Sequence, residues 1–132
     1  MKILLWGIPC VGHEEVAELL AQKLNYKFFD QNNLIKEKYQ TIDKFNNTYP
    51  NDYNRFKEKE NIALNIINNN DNFVMAMSFI YIKEIVESIN KNNVISIEIT
   101  DNLKSIYNRI LFYNEFDEVM PDSKQYRDEH KE

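Results

Sequence analysis

The chain has 132 residues, 43% of them hydrophobic and 28% charged, with 16 Lys+Arg against 21 Asp+Glu for a net charge of -5. That length fits one domain able to bury a core, and the acidic balance argues against sequence-independent nucleic-acid binding, which runs on a basic surface. The single cysteine, Cys10, excludes an internal disulfide framework and points to a reducing, cytoplasmic setting, and no stretch approaches the about 20 apolar residues of a membrane span.

Strand and helix signals alternate along the chain. Lys2 to Trp6 is a short apolar run that enters a Gly/Pro loop too soon for a signal sequence. From His13 to Leu24 the apolar positions Val16, Leu19, Leu20 and Leu24 fall at helical spacing, and Asn25 ends that helix. Tyr26 to Phe29 reads as a second strand and Asn33 to Tyr39 as a helix, with no element assigned between Gln40 and Tyr49. Pro50 opens a long helix from about Asp52 to Ile67, and Asn68 to Asp71 is a turn. Phe73 to Met77 is a third strand, Tyr81 to Ile89 a helix and Val94 to Glu98 a fourth strand. Asp101 caps a helix to about Phe112, and Pro121 opens a last one.

Such alternation predicts an α/β fold: a parallel sheet of about four apolar strands, flanked by helices in three layers. Residues 1–113 read as this core. Residues 114–132 carry seven acids against three Lys/Arg and read as an acidic segment leading into a C-terminal helix.

Glycine is scarce. Average usage of roughly 7% would give about nine, and the chain has 2, Gly7 and Gly12, both in the loop after the first strand. The segment Gly7-Ile8-Pro9-Cys10-Val11-Gly12-His13-Glu14 has the frame of a phosphate-binding loop, G-x-x-x-x-G-K-[ST], between a strand and a helix. Its two chemical positions differ. His13 stands where a lysine would reach the phosphates, and Glu14 where a hydroxyl would hold Mg²⁺. The loop amides and the helix N-terminus still favour an anion, but Glu14 and Glu15 set two carboxylates there. One carboxylate about 4 Å from a phosphate charge costs on the order of 4 kcal/mol at an effective dielectric of about 20. Alternatively, the two acids serve only to stabilise the helix start. Cys10, His13 and Glu14 also lie close in sequence, without the second Cys/His pair that a zinc site uses.

With the loop placed, the order of segments resembles shikimate kinase, a small P-loop kinase that phosphorylates a hydroxyl of shikimate with MgATP. The likeness covers about residues 1–131. It rests on Lys2-Ile3-Leu4-Leu5-Trp6-Gly7, on Ala17-Glu18-Leu19-Leu20-Ala21-Gln22-Lys23-Leu24, on Phe28-Phe29-Asp30-Gln31-Asn32-Asn33-Leu34-Ile35, on Phe56-Lys57-Glu58-Lys59-Glu60 and on Val94-Ile95-Ser96-Ile97-Glu98-Ile99.

The resemblance implies roles for individual residues. Gly7, Cys10, Val11, Gly12, His13 and Glu14 would form the nucleotide loop. Asp30 falls where the family keeps an aspartate near Mg²⁺ and the acceptor hydroxyl, so Asp30 and Glu14 are the implied Mg²⁺ ligands. Asn32 replaces a substrate-binding aspartate, and Lys57 an arginine that grips the substrate carboxylate, keeping its charge without the bidentate fork. Arg109 falls where an arginine stacks on adenine. The family's triple-glycine substrate segment is replaced by Met77-Ser78-Phe79, its lid arginine by the acidic Asn114-Glu115-Phe116-Asp117-Glu118. Its last strand and helix have no counterpart.

The same residues have plainer readings. Asp30 also suits the N-cap of the helix that follows it. Lys57 and Lys59 also suit a solvated helix face, and Arg109 the C-terminal dipole of its helix.

Three functions stay open. The first is a shikimate-kinase-like protein whose ATP-dependent phosphoryl transfer is impaired, because transfer depends on positioning and charge neutralisation. The second is a working small-molecule kinase using ATP and Mg²⁺, its missing cations supplied by a partner. The third is a non-enzymatic interaction protein on a kinase scaffold, acting through its acidic tail or as a homodimer through an exposed sheet edge.

Overall fold

A computed structural model of the chain describes residues 1–7, 12–78, 83–100, 104 and 115–118. Four strands alternate with five helices: β1 (Lys2–Gly7), α1 (His13–Leu24), β2 (Lys27–Asp30), α2 (Gln31–Tyr39), α3 (Ile42–Thr48), α4 (Asp52–Asn69), β3 (Phe73–Ser78), α5 (Lys83–Lys91) and β4 (Val94–Glu98). The sheet is parallel throughout, in the order β2-β3-β1-β4. Leu4 of β1 pairs with Met75 of β3 on one side and with Ser96 of β4 on the other.

Side chains of a strand alternate between the two faces, and the two cores follow that alternation. Leu4, Phe73, Met75 and Met77 pack on one face under Ala63, Ile66 and Ile67 of α4. Ile3, Leu5, Val74 and Ala76 pack on the other under Ala17 and Ala21 of α1. The small alanines let α1 approach the sheet closely. The expected three-layer α/β architecture is therefore present.

The two central strands are buried on both faces, as their apolar runs predict. The expectation of uniformly buried strands fails at the edges, however. β4 has exposed positions on both sides of its pleat, and Ile95 is 43% exposed. An edge strand has only one neighbour, so its apolar sequence overstates its burial.

Asparagine takes over the turn role that glycine usually fills. Asn25, Asn72 and Asn93 all have positive φ, at 57°, 52° and 54°, a region asparagine enters at lower cost than most residues. Asn25 ends α1 there, its N–H reaching the carbonyls of Ala21 and Gln22. The many asparagines of this glycine-poor chain thus have structural work at the ends of elements.

Helix α3 was not expected. Its sequence IDKFNNT offers only Ile42 and Phe45 as apolar helical neighbours. It forms because the Thr41 hydroxyl accepts from Lys44 N at 3.0 Å and because Phe45 is fully buried between Tyr39 and Tyr49, with ring centroids 5.2 and 5.6 Å away. Helices α2, α3 and α4 make a small helical insert beside β2. The helices expected from Asp101 and from Pro121 lie outside the described residues.

Candidate functional site

In a parallel sheet all strands point the same way, so Gly7, Asp30, Ser78 and Glu98 end at one edge. From β1 the chain runs through α1 to β2 on one side of the sheet. From β3 it runs through α5 to β4 on the other side. The crevice outside the ends of β1 and β3 is therefore the topological switch point, where open α/β sheets bind ligands.

A loop joins β1 to α1, and Gly12 is the part of it that the structure describes. Its last residue, Gly12, has φ 94° and ψ 14° and caps α1 without any side-chain hydrogen bond. A Cβ at Gly12 would meet Glu15 Oε2 at 3.9 Å, so space is available and the backbone angle alone calls for glycine. Glu14 and Glu15 occupy the first turn of α1. Cys10 and Val11 lie outside the described residues.

His13 does not reach outward as a loop lysine would. It is 3% exposed and shares the inward face of α1 with Ala17 and Ala21, at spacings of four residues. Its Nδ1 lies 3.5 Å from Glu14 Oε2 and has no hydrogen-bond partner among the described residues. The imidazole is thus packed beneath the helix start. Glu14 is 36% exposed and Glu15 is exposed. Water around them screens their charge, so the cost to a phosphate moves from the low-dielectric figure toward about 1 kcal/mol each.

Among the described residues, what suits a nucleotide with Mg²⁺ here is backbone and not side chain. The positive φ at Gly12 and the open amides of α1 suit phosphate oxygens. The side chains beside them supply a buried imidazole and two carboxylates, with neither a lysine nor a hydroxyl.

Asp30 ends β2 and is the N-cap of α2, its Oδ1 accepting from Asn32 N at 2.9 Å. The plainer reading of Asp30 is thereby realised, while its carboxylate still stands at the ligand edge of the sheet. Asn32 lies in the first turn of α2. Gln31 between them is buried, and its Nε2 donates to the Lys59 carbonyl at 3.2 Å, tying the end of β2 to α4.

Lys57, partly exposed, is not a lone charge on the helix face. Its Nζ lies 3.6 Å from Glu60 Oε2 and 5.9 Å from the Tyr53 ring centroid. Glu60 is 2% exposed and was not singled out from the sequence. The available signal was its position three residues after Lys57, one helical turn on. Lys59 also departs from a solvated charge: burial first, and then Arg55 nearby, lower its pKa. Arg109 lies outside the described residues. Met77, the first residue of the segment that replaces the family's triple glycine, faces the core under α4, beside Trp6 in register. Phe79 lies outside the described residues.

A protein-family model described as shikimate kinase matches residues 9–129. The chain belongs to the shikimate kinase family. Solved structures of the family share its fold. The shikimate kinase of Bacteroides thetaiotaomicron superposes with a TM-score of 0.70 at 18% identity, covering 83% of this chain and 62% of that one. The enzyme of Aquifex aeolicus gives 0.67 at 19% identity, covering 98% and 78%. That of Acinetobacter baumannii, solved in complex with shikimate, gives 0.64 at 20% identity, covering 82% and 60%. This chain thus spans under two thirds of two of the three family members. No match to a curated protein sequence reaches significance. No helix among the described residues is long and apolar enough to cross a membrane.

Proposed function

We propose that this member of the shikimate kinase family keeps the backbone of a phosphate-binding loop and is impaired in ATP-dependent phosphoryl transfer. The observation that carries this reading is His13. At the lysine position the side chain is packed under α1 at 3% exposure, beside Glu14, and does not extend from the helix start as a phosphate-binding lysine would. Anion binding would rest on loop amides and the α1 N-terminus alone. Asp30, Asn32 and Lys57 would face a small polyol carrying a carboxylate, with Lys57 steadied by Glu60. Bound MgATP would supply the phosphoryl group, with Gly7, Cys10, Val11, Gly12 and Glu14 around the phosphates, Arg109 at the base and Glu14 with Asp30 toward the metal. The protein would work in the cytoplasm.

Isothermal titration with MgATP tests the reading, comparing the unmodified chain with His13→Lys/Glu14→Ser. The expected result is no micromolar binding by the unmodified chain and at least a tenfold gain in the double variant. Micromolar binding with turnover of shikimate by the unmodified chain would overturn it.

One observation favours a second reading. Asp30 holds its carboxylate at the ligand edge although its N-cap role engages Oδ1 alone, as a working kinase would require. Phosphate release from ATP that depends on shikimate, and is lost in Asp30→Asn, would select it. The place of β4 at the end of the described sheet supports a homodimer through that edge, which light scattering tests.

A further inference from the structure

The two edge strands of the sheet are unlike. Phe28 and Phe29 of β2 each pack into one of the two cores. On β4, Ile97 and Ile99 pack toward the cluster under α1, and Ile95, on the same side of the pleat, is 43% exposed. Leu20 of α1 joins that cluster, and Val16, one turn before it, is also 43% exposed. An apolar strip thus runs from the flank of α1 over β4 to the end of the described sheet.

The backbone of β4 adds a second feature. Ile99 N donates to the Trp6 carbonyl at 2.8 Å. Successive strand residues turn their N–H and C=O to opposite sides, so Ile95 and Ile97 also turn theirs to β1. Val94, Ser96 and Glu98 then turn theirs outward, as an edge strand does. Among the described residues no strand lies beyond β4, and Ser96 and Glu98 are exposed.

We propose that a second copy of this chain pairs here, β4 against β4, antiparallel about a two-fold axis at Ser96. This rests on the edge reading of β4 given above and adds the register. The strand Val94-Ile95-Ser96-Ile97-Glu98 complements itself in that register. Ser96 meets the partner's Ser96 and Val94 meets the partner's Glu98, each pair exchanging its outward bonds, with no like charges opposed. Ile95 meets the partner's Ile97 as the closer, non-hydrogen-bonded pair, with Cα atoms about 4.5 Å apart. Both α1 helices stay on one side of the joined sheet, so the two apolar strips become one. A slip by one residue would set Ser96 against the partner's Ile97, whose amide faces β1, and would turn the strips to opposite faces. The contact is isologous and uses up both open β4 edges, so it closes at two copies. Because the two β4 strands run oppositely, the ligand edges of the two copies point in opposite directions. The partner does not set its own ligand edge beside the phosphate loop, and the dimer is a structural unit rather than a shared active site.

Sedimentation velocity at up to about 300 µM, a range that reaches the weak association of small interfaces, tests it on the unmodified chain, Ile95→Lys, Ser96→Pro and Ser96→Ala. The unmodified chain is expected to dimerise. Ile95→Lys, which puts a charge into the apolar strip, and Ser96→Pro, which removes an outward N–H and no bond to β1, should each weaken association at least about tenfold. Ser96→Ala, which loses only the hydroxyl that accepts from Trp6 Nε1, should dimerise as the unmodified chain does. Should Ser96→Pro fail to fold, Ile95→Lys gives the same readout. In a Cys10→Ser background, Ser96→Cys should cross-link under an added mild oxidant, because the Cα atoms of a hydrogen-bonded pair lie about 5.5 Å apart, within disulfide reach. A register shifted by two residues would hold them at about 7–8 Å, too far to bridge. A chain that stays monomeric throughout would overturn the proposal and the edge reading together. A dimer untouched by Ile95→Lys and Ser96→Pro would lie elsewhere and overturn both as well. A dimer weakened by those variants but without the Ser96→Cys cross-link would overturn the register and leave the edge standing. Titration with MgATP reports on the loop separately.

Discussion

The Tyr49 hydroxyl donates to Glu58 Oε2 at 3.0 Å while Lys38 Nζ donates to Glu58 Oε1 at 2.8 Å. With its one proton committed to Glu58, Tyr49 must accept from Tyr39, whose hydroxyl lies 3.0 Å away. The helical insert is therefore pinned by one half-buried carboxylate that gathers α2, the segment after α3, and α4.

That arrangement sets a pH dependence. Burial alone would raise the Glu58 pKa, but the bonds from Lys38 and Tyr49 outweigh it and hold the carboxyl below its ordinary value of 4.5. A group with a depressed folded pKa contributes stability above its unfolded pKa and loses it as the pH falls through the folded value. Glu58→Gln should cost about 1–2 kcal/mol near neutral pH, since Lys38 is half in water. The gap to the unmodified chain should be full above the ordinary carboxyl value of 4.5 and close as the pH falls through the lowered value below it. Urea unfolding across that range checks it, and parallel curves at every pH would contradict it.

Gly12→Ala should destabilise the fold by about 1–2 kcal/mol, because a left-handed residue with a Cβ carries that cost. The open space around the position rules out a steric clash as the cause. Gly12→Asn should cost less than Gly12→Ala, as Asn25, Asn72 and Asn93 already occupy this region. Thermal melts of the two variants decide it. Equal losses would mean that the backbone angle is not the determinant.

What could be read beforehand follows from where the forces lie. Ile3 to Leu5 and Phe73 to Met77 announce central strands because two buried faces require unbroken apolar runs. The glycine pair and its strand–loop–helix setting marked the ligand edge for the same local reason. Helix α3 was not legible, since Phe45 is held by Tyr39 and Tyr49 from its flanks and by no pattern of its own. The burial of His13 was legible in its four-residue spacing to Ala17 and Ala21, which sets it on the inward face of α1. Asp117 Oδ2 accepts from Ile42 N across 75 positions of sequence, and no local rule reaches that far.

Lys57→Met should cost about 1–3 kcal/mol, because the buried Glu60 carboxylate loses the positive charge 3.6 Å away. Lys57→Arg should restore most of it, while Glu60→Gln should cost less than Lys57→Met, since an amide is cheaper to bury than a carboxylate. Urea unfolding of the three variants and the Lys57→Met/Glu60→Gln double variant measures the coupling. Additive losses would show that the 3.6 Å pair carries no energy of its own.

Glu14→Gln/Glu15→Gln should move affinity and stability in opposite directions. Each exposed carboxylate near a bound phosphate costs about 1 kcal/mol in a water-like dielectric, so removing one should tighten pyrophosphate binding by about fivefold. The pair together should give about 25-fold at low ionic strength. In about 0.5 M salt the Debye length falls below about 5 Å, and most of the gain should disappear. The same two substitutions strip negative charge from the α1 N-terminus, which should lower stability by roughly 0.3–1 kcal/mol each. Calorimetric titration at two salt concentrations, with a melt of the same samples, checks both signs. A variant that is less stable and binds no tighter at low salt would mean that these acids only support the helix.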